Sequence, residues 1–189
     1  MSKLAPEVEA QLVRIKAPQR SAWSDNAPVE DTVKQILADV RSRGDAAVRD
    51  YALRFDKVEV ATFEVTADER EAAVAALDPQ TRKDTEFAIA QVRAFAKAQR
   101  ATLLPLEIET LPGLHLGHRI IPLERVGAYV PGGRYPLLSA PIMTIVPAKV
   151  AGCDEVIACL PPGAHRAMIA GCHLSGADRI FRVGGAQAI

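Results

Sequence analysis

From Arg125 to the last residue the chain repeats one unit: an apolar stretch short enough for a strand, a glycine or proline break, then a helical pattern. Residues 125–130 read as a strand that breaks into Pro131-Gly132-Gly133. A helix follows from about Ser139 to Ala151, with Pro147 placed to kink it. Val156 to Leu160 is the next strand, closed by Pro161-Pro162. Ala164 to Leu174 is a helix ended by Gly176, and Ile180 to Val183 is a third strand running into Gly184-Gly185. Connections this short between alternating strands and helices predict a parallel, Rossmann-like β-α-β-α-β unit with right-handed crossovers. The period predicts that the unit is incomplete after Ile189, one turn into an apolar helix.

The first half has a different period. Val8, Leu12 and Ile15 outline a short amphipathic helix, and residues 18–28 are a polar linker that Trp23 anchors to the body. Val33, Ile36, Leu37 and Val40 form one apolar face of a helix. Gly44 stands where its C-terminal cap belongs, and Asp45 can N-cap a second helix carrying Ala47, Val48, Tyr51 and Ala52. Asp56-Lys57 turns the chain. Phe63 and Val65 alternate with polar neighbours as a short strand. Thr66 and Glu69 have the spacing of a capping box. Asp78-Pro79 pairs an N-cap with a first-turn proline and opens the longest helix, to about Gln99. Phe87, Ile89, Val92, Phe95 and Ala96 are expected on its buried side. Leu106 to Ile121 reads as a hairpin turned at Pro112-Gly113. The expected fold is therefore α/β: an N-terminal helix and linker (1–28), a helical segment with its hairpin (29–124), and the Rossmann-like unit (125–189).

Charge excludes some partners. Twenty-three basic and twenty-three acidic residues cancel, which leaves no basic footprint for nucleic acid or an anionic membrane surface. No apolar run approaches the length of a membrane span. The N-terminus has no apolar signal core, which points to the cytoplasm. Cys153, Cys159 and Cys172 then read as reduced, buried thiols.

In an open parallel sheet, ligands bind beyond the carboxyl ends of the strands. Both glycine turns, Pro131-Gly132-Gly133 and Gly184-Gly185, fall there, and glycine admits close approach of backbone to ligand. Neither matches G-x-G-x-x-G, and such turns also close strand–helix junctions that bind nothing. Tyr129, at the end of its strand, could stack on a ligand or sit in the sheet. Gln187 could bond a ribose or a carboxamide, or lie in solvent. Arg134 could meet a phosphate or an acidic substrate group, or stay on the surface. His115 and His118 lie three apart on an extended run and so face opposite ways. Cys172 and His173 are neighbours on a helix, His165 starts that helix, and no four-ligand zinc set emerges.

Three stretches carry a family resemblance. Val33 to Tyr51, closing with Arg54-Phe55-Asp56, is one. Val126-Gly-Ala-Tyr-Val-Pro-Gly-Gly-Arg134 and Pro147-Ala-Lys-Val-Ala-Gly-Cys153 form the second. Val183-Gly-Gly-Ala-Gln-Ala-Ile189 is the third. In this order and spacing, over roughly Val29 to Ile189, the chain resembles the N-terminal part of histidinol dehydrogenases. The resemblance implies NAD-dependent, zinc-requiring oxidation of L-histidinol to L-histidine through an aldehyde, by an intertwined homodimer. It implies that Tyr129 and Gln187 contact NAD. It places the zinc ligands, a Glu-His acid/base pair and most substrate contacts beyond Ile189, so that no catalytic or metal-binding residue is expected within the chain. Arg134-Tyr135-Pro136-Leu137 departs from the commonest family wording. It is similar to paralogues that oxidise other alcohols, such as 2,3-dihydroxypropane-1-sulfonate. A non-catalytic nucleotide-binding or dimerisation module is the alternative from another class.

Overall fold

The computed structural model describes residues 27–132 and 135–189. The helix expected over residues 5–17, the linker with Trp23, and Gly133 and Arg134 lie outside the described residues. The chain divides between Gln35 and Ile36 into two compact units. The division falls within helix α1 (Ala27–Arg43), and the description that follows concerns the unit Ile36–Ile189.

Gly44, at φ 57°, separates α1 from α2 (Asp45–Tyr51). It is the N-cap of α2, and Asp45 is the first helical residue, where its charge faces the positive helix end. The expected Asp45 cap is thus displaced by one residue, because the positive φ of Gly44 already turns the chain. Arg43 bridges the junction: it donates to both Asp39 oxygens at 2.6 Å and to Asp50 at 2.6 Å. After α2 the coil widens into a π-type turn over Ala52–Asp56, and Lys57 in the left-handed region ends it.

α3 (Ala67–Ala75) opens on the predicted capping box. The Glu69 amide donates to the Thr66 hydroxyl and the Thr66 amide donates back to the Glu69 carboxylate. α4 (Pro79–Ala101) starts from Asp78, whose carboxylate accepts from Gln80 and Thr81. Two of its expected core residues are not in the core: Phe87 is 65% and Phe95 67% exposed. The buried stripe is Thr85 and Ile89, flanked by Ala88 and Val92. Phe87 and Phe95 are eight apart and share a face, but Phe87 is two residues from Ile89, roughly 200° around the helix. Two apolar stripes compete on α4, and the narrower aliphatic one meets α5.

β1 (Leu106–Leu111) and β2 (Leu114–His118) form the expected hairpin. β3 (Arg125–Tyr129), β4 (Glu155–Leu160) and β5 (Arg179–Arg182) make a parallel sheet in the order β3-β4-β5. α5 (Ser139–Ala151) and α6 (Arg166–Ser175) are the crossovers, each ended by a glycine in the left-handed region, Gly152 and Gly176. Pro147 lies inside α5, which runs on to Ala151. The expected helix after Gly185 is a single 3-10 turn, Ala186–Ala188.

The alternation of β4 shows what the sheet packs against. Val156, Ala158 and Leu160 are buried, while Glu155, Ile157 and Cys159 are only partly covered. The buried set joins Ala128, Val130 and Ile180 from the other strands and Ile145, Met168 and Cys172 from α5 and α6. Burial of each such aliphatic side chain contributes about 1.5–3 kcal/mol. The predicted strand at Phe63–Val65 is a short antiparallel addition to β5: Val65 donates to the Ile180 carbonyl at 2.8 Å and Arg182 to that of Phe63 at 2.7 Å. Two ion pairs clamp it, a bidentate Arg179–Glu64 and Arg182–Glu69. The other end of the sheet is tied by Asp178, which accepts from the Val156 amide at 2.7 Å and from Lys149 at 2.9 Å.

Candidate functional site

The loops that leave β3, β4 and β5 converge at the carboxyl edge of the sheet. Pro161 is their hub. A Cβ on Gly132 would stand 2.6 Å from the Pro161 ring, and one on Gly184 would stand 3.1 Å from it. A side chain in either loop would press on that proline, a physical reason for a glycine in each. Val130 continues the sheet by donating to the Cys159 carbonyl at 2.8 Å.

This convergence brings together two residues singled out in the sequence. The Gly185 amide donates to the Tyr129 hydroxyl at 3.3 Å. Gly185, at φ 69°, turns the chain so that the Gln187 side chain folds back over it. The Gln187 carbonyl oxygen is buried with no hydrogen-bond partner among the described residues. Tyr129 keeps 37% of its surface exposed. The edge therefore offers a partly open aromatic ring beside a carboxamide with unspent hydrogen-bonding capacity. An unpaired buried acceptor costs about 1–3 kcal/mol, which a ligand donor would recover. That combination fits the ribose or amide of a dinucleotide.

On the Pro131–Gly132 side of the same edge lies a cavity of about 480 Å³, lined among others by Asp56, Tyr135, His165 and Met168. That is a usual size for a small-molecule site. Burial raises the Asp56 carboxyl above its ordinary range. His165 caps α6 by accepting the Ala167 amide on Nδ1 at 3.2 Å, which places the proton of the neutral ring on Nε2. In the sequence Asp56 reads as a turn residue and His165 as a helix start. The signal for Asp56 was its place in Arg54-Phe55-Asp56; His165 gave no signal beyond its capping position. Tyr129 and Gln187 do not line this cavity.

The remaining candidates are dispersed. His118 Nε2 lies 2.9 Å from the Leu104 carbonyl, while His115 faces Glu107 at 3.7 Å on the other side of the hairpin. Among the described residues no three of His, Cys, Asp and Glu gather as a metal site. Burial, with Cys159 adding to it, pushes the Cys172 thiol up to about 12, and burial raises Cys159 as well. Neither supplies a thiolate nucleophile at neutral pH. No helix among the described residues is long and apolar enough to cross a membrane.

Comparison with known proteins agrees with this architecture. The family model for histidinol dehydrogenase matches residues 19–189. The chain is 47% identical over 167 residues to a histidinol dehydrogenase homolog of Mesorhizobium japonicum, covering 87% of this chain and 33% of that protein. It is 40% identical to the sulfopropanediol 3-dehydrogenase of Ruegeria pomeroyi, covering 93% of this chain and 41% of that protein. A crystal structure of histidinol dehydrogenase from Elizabethkingia anophelis superimposes with a TM-score of 0.81 at 26% identity, covering 98% of this chain and 42% of that one. The chain thus spans well under half the length of these relatives. With its α/β fold, its glycine-edged sheet and a family match over nine tenths of its length, the chain belongs to the histidinol dehydrogenase family.

Proposed function

We propose that this chain forms the cofactor-binding part of a cytoplasmic NAD-dependent alcohol dehydrogenase, acting as a homodimer that oxidises L-histidinol to L-histidine through the aldehyde. The observation that carries this reading is the pairing of Tyr129 with Gly185 beside the unpartnered Gln187 oxygen. Tyr129 would stack on the dinucleotide, and the Gln187 carboxamide would accept from a ribose hydroxyl or a carboxamide. When bound, NAD supplies the acceptor for the hydride of the alcohol. The glycine loops hold the backbone close and exclude side chains, so the bound cofactor is oriented by a rigid sheet edge. Among the described residues no three of His, Cys, Asp and Glu gather to hold zinc. The zinc ligands and the Glu-His pair are proposed to belong to the part of the family that this chain does not match.

The test is turnover of L-histidinol by the full-length enzyme, followed as NAD reduction with and without added zinc. No turnover under either condition sinks the substrate assignment. Residues 1–189 alone are expected to show no NAD reduction with histidinol and zinc. Measurable turnover would refute the placement of the chemistry downstream.

A second substrate has a specific observation behind it, the 40% identity to a sulfopropanediol 3-dehydrogenase together with Arg134-Tyr135 after the glycines. An arginine there suits a sulfonate. Comparing kcat/KM for histidinol and 2,3-dihydroxypropane-1-sulfonate separates the two. Titration of residues 1–189 with NAD separates both from a self-contained binding module: tight binding favours the module, weak binding a site completed elsewhere.

A further inference from the structure

Arg93, Lys97 and Arg100 stand at i, i+4 and i+7 on α4, a spacing that turns all three to one side of the helix. They line one wall of a cavity of about 580 Å³. Leu103, Leu104 and Ile120 supply an apolar wall, and the last turn of α5 adds Lys149 and Val150. No carboxylate lines it. Among the described residues, no carboxylate oxygen comes within 4 Å of Arg93, Lys97 or Arg100. Lys149, by contrast, is paired with Asp178. Arg100 reaches toward the loop after α5, its Nη2 lying 3.7 Å from where a Gly152 Cβ would stand.

Three like charges on one helix face repel one another, and a surface with no net charge to spread has no general reason to gather them. The aliphatic neighbours are also unusual: Leu103 is 56%, Leu104 68% and Ile120 45% exposed. Cations and bare aliphatics in one concavity suit a ligand with an anionic head and an apolar body. The volume lies within the small-molecule range. Two guanidiniums with a lysine between them match the oxygens of a phosphate dianion, because arginine binds such a group through two parallel N–H donors.

We propose that this cavity binds a small organic phosphate monoester, with the phosphate held by Arg93, Lys97 and Arg100 and the apolar body resting on Leu103, Leu104 and Ile120. The cavity lies beside the start of the sheet, at the opposite strand ends from Tyr129 and Gln187. It does not depend on which alcohol the enzyme oxidises.

Calorimetry on the full chain with phenyl phosphate, inorganic phosphate and phenol as separate probes tests it. Phenyl phosphate is expected to bind at one site, about tenfold or more tighter than inorganic phosphate, and phenol not at all. The double variant Arg93→Gln/Lys97→Gln should weaken phenyl phosphate at least about tenfold, while Lys97→Arg keeps most of the affinity. Far-UV dichroism checks the fold of the variants. Should the double variant not fold, Lys97→Gln alone, at an exposed position, is expected to weaken binding several-fold. Raising the salt concentration should lower the affinity. The proposal is overturned by an absence of binding, by equal affinity for phenyl phosphate and inorganic phosphate, or by glutamine variants that bind as the parent does.

Discussion

Tyr129 and Gly185 are 56 residues apart in sequence and are joined by one hydrogen bond, the glycine amide donating to the phenol oxygen at 3.3 Å. The bond closes the loop after β5 onto the end of β3, across the intervening β4. Part of the tyrosine ring's surface stays exposed. Tyr129→Phe removes the acceptor but keeps the ring. Because Gly185 is exposed, water can replace the bond, and the expected stability loss is about 0.5–1 kcal/mol. Tyr129→Ala should weaken NAD binding by the full-length enzyme several-fold more than Tyr129→Phe. Equal losses by calorimetry would mean that the ring does not stack on the cofactor.

Gln187→Leu is expected to separate stability from binding. The Gln187 oxygen is buried and unpartnered among the described residues. Replacing it with an apolar group of similar size should leave thermal stability unchanged or raise it by about 1 kcal/mol. NAD affinity should fall about tenfold, the loss of one hydrogen bond to a ligand. A variant that loses stability and keeps its affinity would assign Gln187 a purely structural part.

Gly185→Ala should be costly for its backbone and should push the Gln187 side chain aside. The backbone stands at φ 69°, and the new Cβ would meet the Gln187 oxygen at 2.6 Å. About 1–3 kcal/mol of strain is expected, read as a lowered denaturation midpoint at unchanged m-value. Gly127→Ala is the control, since a Cβ there meets nothing within 4 Å.

Acid should weaken the molecule at its sheet edges. The Arg179 hydrogen bond lowers the Glu64 carboxyl, and those of Arg182 and Thr66 lower Glu69. Burial works against Asp178, but the Val156 amide and Lys149 still draw it below its usual range. Arg43 beside it draws Asp39 down to about 2. These folded carboxylates bind protons less tightly than the unfolded chain does. Their contribution is therefore complete above the ordinary carboxylate range and is lost as pH falls through the lowered values, from about 4 toward about 2. Solvent screening keeps the contribution of each surface pair small. Denaturation curves at descending pH should show the decline, and Asp178→Asn should flatten part of it.

Ile89→Ala should cost about 2–4 kcal/mol, whereas Phe87→Ser and Phe95→Ser should each change stability by less than about 0.5 kcal/mol. The contrast follows from burial, Ile89 being 7% exposed and the two phenylalanines about two thirds exposed. Matching losses at all three positions would show that the aromatic stripe is covered in solution.

The capping box at Thr66, the Asp78-Pro79 helix start, the glycine caps and the strand–helix alternation were all legible from residues one to four apart. Such signals are local: a hydroxyl reaches an amide three residues on whatever the rest of the chain does. The parallel sheet was legible for a related reason, because crossovers of this length admit few topologies. Tyr129 and Gln187 stood out as candidates, but nothing local said that both would lie against Gly185.

What the sequence by itself determined is therefore the kind and order of the elements and the glycine turns at the carboxyl edge of the sheet. Tertiary structure decided which of two apolar stripes of α4 is buried, that the Gly185 amide engages the Tyr129 hydroxyl, and that Asp56 and His165 share one cavity. It also gathered Arg93, Lys97 and Arg100 with Leu104 and Ile120. The reason is range. Periodicity and caps act within a few residues, whereas these outcomes depend on which surfaces, tens of residues apart, exclude water from one another.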